Sequence, residues 1–335
     1  IPFFSDAGGG SMYTHNVSAT QSTAELNTAY GFTALDAITT GDRNTAMGYA
    51  AGTSINTGIE NTLIGGLAGD ALTTGNYNVA IGKSALSTSL DGDHNTAIGV
   101  YALEDYEDGD GNGFNTAVGS QSQAQATTGE FNTSLGASSM GVGVTTGDYN
   151  VALGYAAGNA ITSGQRNILI GGNAGDALTT GESNVAIGHG ALSAEDTTGS
   201  TTAIGYKALN LQNAAAESYN VAVGFEAGKA VTTGIKNTLI GSEAGVALTV
   251  GNYNTVLGYG ALNTSVDGDY NTAIGFQALL AYEDGDGNGH NTAVGASSQT
   301  SATTGQFNTS LGSLSMGSGV TTGDGNTVLG YSAGL

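Results

Sequence analysis

Asn61-Thr62-Leu63-Ile64-Gly65-Gly66-Leu67-Ala68-Gly69-Asp70-Ala71-Leu72-Thr73-Thr74-Gly75-Asn76-Tyr77 is one turn of a pattern that runs through most of the chain. Its skeleton is Asn, then Thr or Val, a small or aliphatic residue, Ile, Val or Leu, and Gly, with Thr-Thr-Gly near the end. The leading Asn recurs at positions 27, 44, 61, 78, 95, 115, 132, 150, 167, 184, 220, 237, 254, 271, 291, 308 and 326, and Thr201 stands in for it once. Gly holds the fifth place in all eighteen units; most intervals are 17 residues, the exceptions 18, 19 and 20. A fixed short period that tolerates insertions at one place is the signature of a solenoid, each unit forming one coil stacked on the next. Residues 27–335 are therefore expected to form a single all-β domain. Its fold is a parallel β-solenoid, a flattened β-roll of about eighteen 17-residue coils.

Within a coil, Thr62 to Ile64 alternates faces as a strand does, so Thr62 and Ile64 share one face. The column of Ile64 is apolar from Tyr30 to Leu329 and reads as a core column. A second column, Ala34, Ala51, Ala68 and onward to Ala333, admits only Ala or Ser, as where two walls approach closely. A third apolar column runs through Ile38, Ile55, Leu72, Ile161, Leu178, Val231 and Leu248 but lapses at Glu195 and Ser265. Two short strands per coil, separated by Gly-containing turns, would make a two-sheet roll, with the fifth-place Gly at a tight bend. The Asn column (Asn44, Asn61, Asn78, Asn95, Asn220, Asn237, Asn254 and Asn271 among others) reads as a structural ladder whose side-chain amides bond up and down the stack. A row of ligand-binding amides is its functional alternative. At a coil spacing of about 4.8 Å, eighteen coils would span on the order of 85 Å.

Composition excludes several classes. The chain has 57 Gly but one Pro, no Cys and no Trp, which rules out a collagen pattern, a disulfide scaffold and a thiolate metal site. Net charge is −22 with six Lys and Arg, so phosphate backbones and anionic membrane surfaces would be repelled. Neither nucleic-acid binding nor membrane insertion is expected, since no stretch approaches the roughly 20 apolar residues of a span. Acidity, absence of Cys and abundant Thr, Ser, Asn and Gly suit an extracellular protein at a cell or virion surface, and the same composition suits a soluble halophile protein. No nucleophile elbow, phosphate loop or catalytic carboxylate pair is present, and no enzyme activity is expected.

A longer period sits above the coil. Residues 44–149 and 220–325 are two copies of a six-coil block, and 150–219 matches only its first four coils. Block duplication lengthens a rod without changing its cross-section, which is how spacers and fibres grow. The unit Asn95-Thr96-Ala97-Ile98-Gly99-Val100-Tyr101-Ala102-Leu103 resembles the repeats of trimeric autotransporter adhesin heads. It is still more similar to Asn-Thr-Ala-Ile-Gly repeats of tail-fibre-like proteins of phages and bacteria. That resemblance implies an extracellular, often homotrimeric, parallel β-roll used for attachment or projection. The expected function is a non-enzymatic structural or adhesive fibre subunit that self-associates. The alternative is a carbohydrate-binding module for surface glycans, with an ice binder further behind.

Three features are candidates for binding. Asp108-Gly109-Asp110-Gly111-Asn112-Gly113 recurs as Asp284-Gly285-Asp286-Gly287-Asn288-Gly289, and the preceding coil carries Asp91 and Asp93, or Asp267 and Asp269, at the same turn. Alternating oxygen ligands of this kind suit calcium; a solvated acidic loop is the other reading. An aromatic column precedes the Asn: Tyr77, His94, Phe114, Phe131, Tyr149, Tyr219, Tyr253, Tyr270, His290 and Phe307. It reads as a stacking ladder or as a sugar-binding row. Finally, residues 1–26 depart from the repeat and open with Ile1-Pro2-Phe3-Phe4. They are expected to cover the open end of a neighbouring subunit, head to tail, or to fold over their own first coil.

Overall fold

The computed structural model describes residues 4–5, 10–14, 23–107, 112–283, 288–317 and 322–334, with the side chains of Phe4 and Ser5 excepted. Two compact units, Ile1–Arg166 and Asn167–Leu335, divide the chain. Among the described residues there is no helix, and hence none long and apolar enough to cross a membrane. Each unit is a parallel β-solenoid. The first stacks eight coil strands, from Thr28–Tyr30 to Val151–Leu153, and the second stacks ten, from Ile168–Ile170 to Thr327–Leu329.

Register between coils is without slip: Thr28 faces Thr45, Ala29 faces Ala46 and Tyr30 faces Met47. The same holds in the second unit, where Thr238, Leu239 and Ile240 face Thr255, Val256 and Leu257. Insertions of one to three residues leave it untouched, as Thr96 still faces Thr116 across the 20-residue interval. Extra residues fall between the strands, so the strand ladder keeps its register.

Each coil contributes one three-residue strand rather than the two expected from sequence. The opposite wall is bonded from coil to coil, as in Leu35 N–H to Ala51 O (3.1 Å) and Ala37 N–H to Thr53 O (3.1 Å). It is not extended, because left-handed residues interrupt it: Thr33 (φ 58°) and Leu35 (φ 53°) in the first coil, with equivalents throughout. Non-glycine residues in this region cost about 1 kcal/mol each. The repeated inter-coil bonds hold them there.

The core also corrects the expected facing. The Ile64 column lies outside: Met47, Leu135, Leu257 and Leu311 are each about half exposed. The middle strand residue points inward instead, with Ala46, Leu63, Ala80, Ala97 and their equivalents as far as Ser310 buried, and Val328 of the last strand half-buried. Alternation assigns two faces without saying which is inside. Here the space between walls takes mainly Ala at the strand centre, so the larger aliphatic column must go out. Where the central residue is Leu, the facing position is Gly: a Cβ at Gly69 would sit 2.9 Å from a Leu63 methyl. A Cβ at Gly52, one coil earlier, would sit 2.7 Å from the other Leu63 methyl. Leu169 with Gly175 and Leu239 with Gly245 repeat the exchange. The six-coil block period is thus a pattern of core volume, large beside small, as close packing demands.

Candidate functional site

The Asn ladder is internal. Asn44, Asn61, Asn78, Asn95, Asn220 and Asn237 are fully buried, and Asn254 and Asn271 nearly so. Asn61 Oδ1 accepts from the Asn78 backbone N–H at 3.0 Å, and Asn61 Nδ2 donates to Gly75 O at 2.8 Å within its own coil. The same two bonds recur within each unit, except that Asn95 Nδ2 and Asn271 Nδ2, in the 20-residue coils, have no partner. An amide serves because it carries an acceptor and donors on one planar group, so one side chain satisfies backbone on both sides. Buried in this way, the ladder offers no ligand a surface.

The acidic turns are half described. Asp93 Oδ1 accepts the Asn76 N–H at 2.6 Å, and Asp269 Oδ1 accepts the Asn252 N–H at 2.5 Å. Asp93 pairs with Asn112 and Asp269 with Asn288 through parallel backbone bridges. Asp91 Oδ1 and Asp267 Oδ1 are buried without a hydrogen-bond partner. Asp108, Asp110, Asp284 and Asp286 lie outside the described residues. Among the described residues no group of three or more acidic or His side chains is placed to hold a metal.

Of the N-terminal segment, Phe4–Ser5 pairs antiparallel with Met12–Tyr13, Phe4 opposite Tyr13. Met12–Tyr13 in turn joins Thr28–Ala29 in parallel, so these residues extend the sheet of their own first coil. Ile1, Pro2 and Phe3 lie outside the described residues.

The pre-Asn aromatic column forms ring stacks. In the first unit Tyr77, His94, Phe114, Phe131 and Tyr149 follow one another at centroid distances of 4.7–5.2 Å, within 7° of parallel. In the second unit Tyr253, Tyr270, His290 and Phe307 stack likewise at 4.7–5.0 Å, within 9° of parallel. Each of these residues has φ near +50 to +60°, a corner geometry that throws the side chain out of the coil and sets the rings one strand spacing apart.

Two places break the regularity, and sequence reading did not join them. The first is the outer face of the strand sheet. Its two outward columns, those of Thr62 and Ile64, carry no charged residue in any of the eighteen coils. They are bordered by exposed aromatics: Phe32, Tyr49 and Tyr155 in the first unit, and Tyr206, Phe225, Tyr259 and Phe276 in the second.

The second is a cleft of about 420 Å³ lined by Thr180, Glu182, Ser183, Thr197, Ser200, Glu217 and Tyr219. It lies at the corner where the ring stack runs elsewhere, with Ser183 (φ 58°) and Ser200 (φ 60°) on the same left-handed backbone as Tyr253 (φ 59°). Beneath it the Asn ladder misses a rung. Thr201 takes the N–H-to-Asn184 Oδ1 bond at 3.1 Å but has no amide. The deficit is covered by a buried polar group. Gln212 Nε2 reaches Ser218 Oγ at 3.0 Å and Glu195 Oε2 at 3.1 Å, while Gln212 Oε1 accepts from Asn220 Nδ2 at 2.8 Å. Glu195 Oε1 accepts the Thr198 N–H at 3.0 Å. Glu195, read from sequence as a lapse in an apolar column, is fully buried and bonded. The signal for the cleft was the coincidence of three departures: two Ser in the aromatic column, Thr201 in the Asn column, and a 19-residue coil from 201 to 219.

These features define a repeat protein of the parallel β-solenoid class with an uncharged outer sheet face and a polar cleft. Compared with known proteins, the chain matches no family model, no curated protein and no solved structure.

Proposed function

We propose that this chain is a non-enzymatic, extracellular structural and adhesive fibre subunit, of the adhesin-head or tail-fibre kind its repeats resemble, and that it self-associates. One observation carries the reading: a sheet face free of charge along every coil, in a chain of net charge −22. Charge that is spread over a surface for solubility is normally also spread over its flat faces. In the second unit, ten strands about 4.8 Å apart and a width of roughly 13 Å give a face on the order of 600 Å². That is the upper end of what monomers expose, about 300–600 Å². A second copy of the same chain is the fitting occupant, because the repeat presents it with the same spacing and the same absence of charge. Calcium at the two acidic turns is proposed on the orphaned Asp91 and Asp267 oxygens, while the described part of the N-terminal segment pairs with its own first coil and lends no support to head-to-tail growth.

Light scattering coupled to size exclusion tests the reading on the wild type and on a Leu135→Lys, Leu257→Lys, Leu311→Lys variant. All three leucines are half exposed, so the variant keeps its fold. The wild type is expected to run as an oligomer at micromolar concentration and the variant as a monomer with an unchanged melting temperature. A monomeric wild type overturns self-association.

A further inference from the structure

At Ser183 and Ser200, beside Tyr219, two consecutive pre-Asn corners of the second unit lack bulk. The molecule itself shows what that corner accepts. In the 220–325 block the corresponding three coils carry Tyr253, Tyr270 and His290, with rings 4.8 and 4.7 Å apart and within 3° of parallel. The 44–149 block places Tyr77, His94 and Phe114 there in the same way. In the middle block the first two rings are replaced by Ser183 and Ser200, and the third, Tyr219, remains with about half its surface exposed. Two ring-sized places are thus open beside a ring face, floored by hydroxyls.

The polar lining decides what fits them. Ser183, Ser200, Thr180 and Thr197 offer hydroxyls that donate or accept, and Glu182 and Glu217 present carboxylates that accept only. A ligand here needs a flat apolar face for Tyr219 and several donors around its rim. We infer that the cleft binds a neutral pyranose sugar, one ring face stacked on Tyr219 and its hydroxyls donating to Glu182 and Glu217. The volume, about 420 Å³, lies within the roughly 300–1,000 Å³ of small-molecule sites. Two carboxylates in a chain of net charge −22 exclude uronic and sialic acids by repulsion. The buried group of Glu195, Gln212, Thr201 and Ser218 fixes the floor from below. Its hydrogen bonds run from Ser218, next to Tyr219, back to Glu195 in the preceding coil, so the corner is preorganised rather than loose.

This inference goes beyond self-association, since a monomer would carry the cleft intact, and the two fail separately. The test is a glycan array carrying neutral hexose and N-acetylhexosamine oligosaccharides beside uronate and sialylated ones. Affinity for the neutral hits is then measured on the wild type, Tyr219→Ala, and a Ser183→Tyr, Ser200→Tyr variant. The Tyr variant keeps the backbone geometry that Tyr already adopts at this corner, so it fills the cleft with the fold preserved. Binding to neutral glycans only is expected, about tenfold weaker in Tyr219→Ala and abolished in the filled variant. No neutral glycan bound by the wild type, equal binding of acidic glycans, or unchanged binding by the filled variant overturns the inference.

Discussion

Replacing Asn61 with Ala tests the ladder quantitatively. The substitution strands two backbone groups, the Asn78 N–H (3.0 Å from Asn61 Oδ1) and the Gly75 carbonyl (2.8 Å from Nδ2). Both ladder residues are fully buried. A buried backbone group without a partner costs about 1–3 kcal/mol, so the pair should cost about 4 kcal/mol in all. For a unit of this size each kcal/mol lowers the melting temperature by roughly 2–4 °C, giving a fall of roughly 8–16 °C. One effect works against this: the lost amide leaves a polar hole that a single water could bridge. Asn61→Leu separates the terms, because its methyls fill the hole and keep water out. The order expected by calorimetry is wild type, then Ala, then Leu, with Asn78 losing amide-exchange protection in both variants. Asn56→Ala is the control, since Asn56 is exposed in the coil before; it should change stability by less than about 0.5 kcal/mol. A melting temperature for Asn61→Ala within about 2 °C of wild type would refute the argument that this amide holds the coil together.

Other outcomes follow from the same geometry. Gly65 has φ +136°, and a Cβ there would lie 2.6 Å from the Gly82 carbonyl carbon, so Gly65→Ala should destabilise by at least about 2 kcal/mol in urea titration. Glu195→Leu restores the residue type usual in that column, yet should destabilise by about 2–4 kcal/mol by stranding the Thr198 N–H and disturbing Gln212. Burial raises the Asp70 carboxyl above its ordinary value, outweighing the lowering from its own backbone hydrogen bond. A raised folded-state value means that stability falls as pH rises from the unfolded value through the folded one. Asp70→Asn should therefore melt higher than wild type at pH 7 and equally at a pH below the ordinary carboxylate range; a lower melt at pH 7 contradicts it. If the acidic turns hold calcium, excess chelator should lower the melting temperature and added calcium restore it; an unchanged curve removes calcium from the proposal.

The fold class, coil length, buried Ala/Ser column and Asn column were legible because each is a one-dimensional fact. A period, a column of one residue type and a tolerated insertion repeat at fixed offsets, and the stack copies them in register. The acidic turns and the aromatic column were equally visible as residues. Which strand face is the core was not, since alternation is symmetric between faces, and the larger aliphatic column pointed to the wrong one. The distance between the walls settled it: that gap admits Ala at the strand centre, and Leu63 only where Gly52 and Gly69 give way. Nor could sequence join Ser183, Ser200, Tyr219, Glu182 and Glu217, whose separate departures from the repeat become one cleft only when consecutive coils lie a strand spacing apart. Sequence determined what each coil is made of; the approach of its walls and the stacking of its corners determined which of those residues meet solvent and which meet each other.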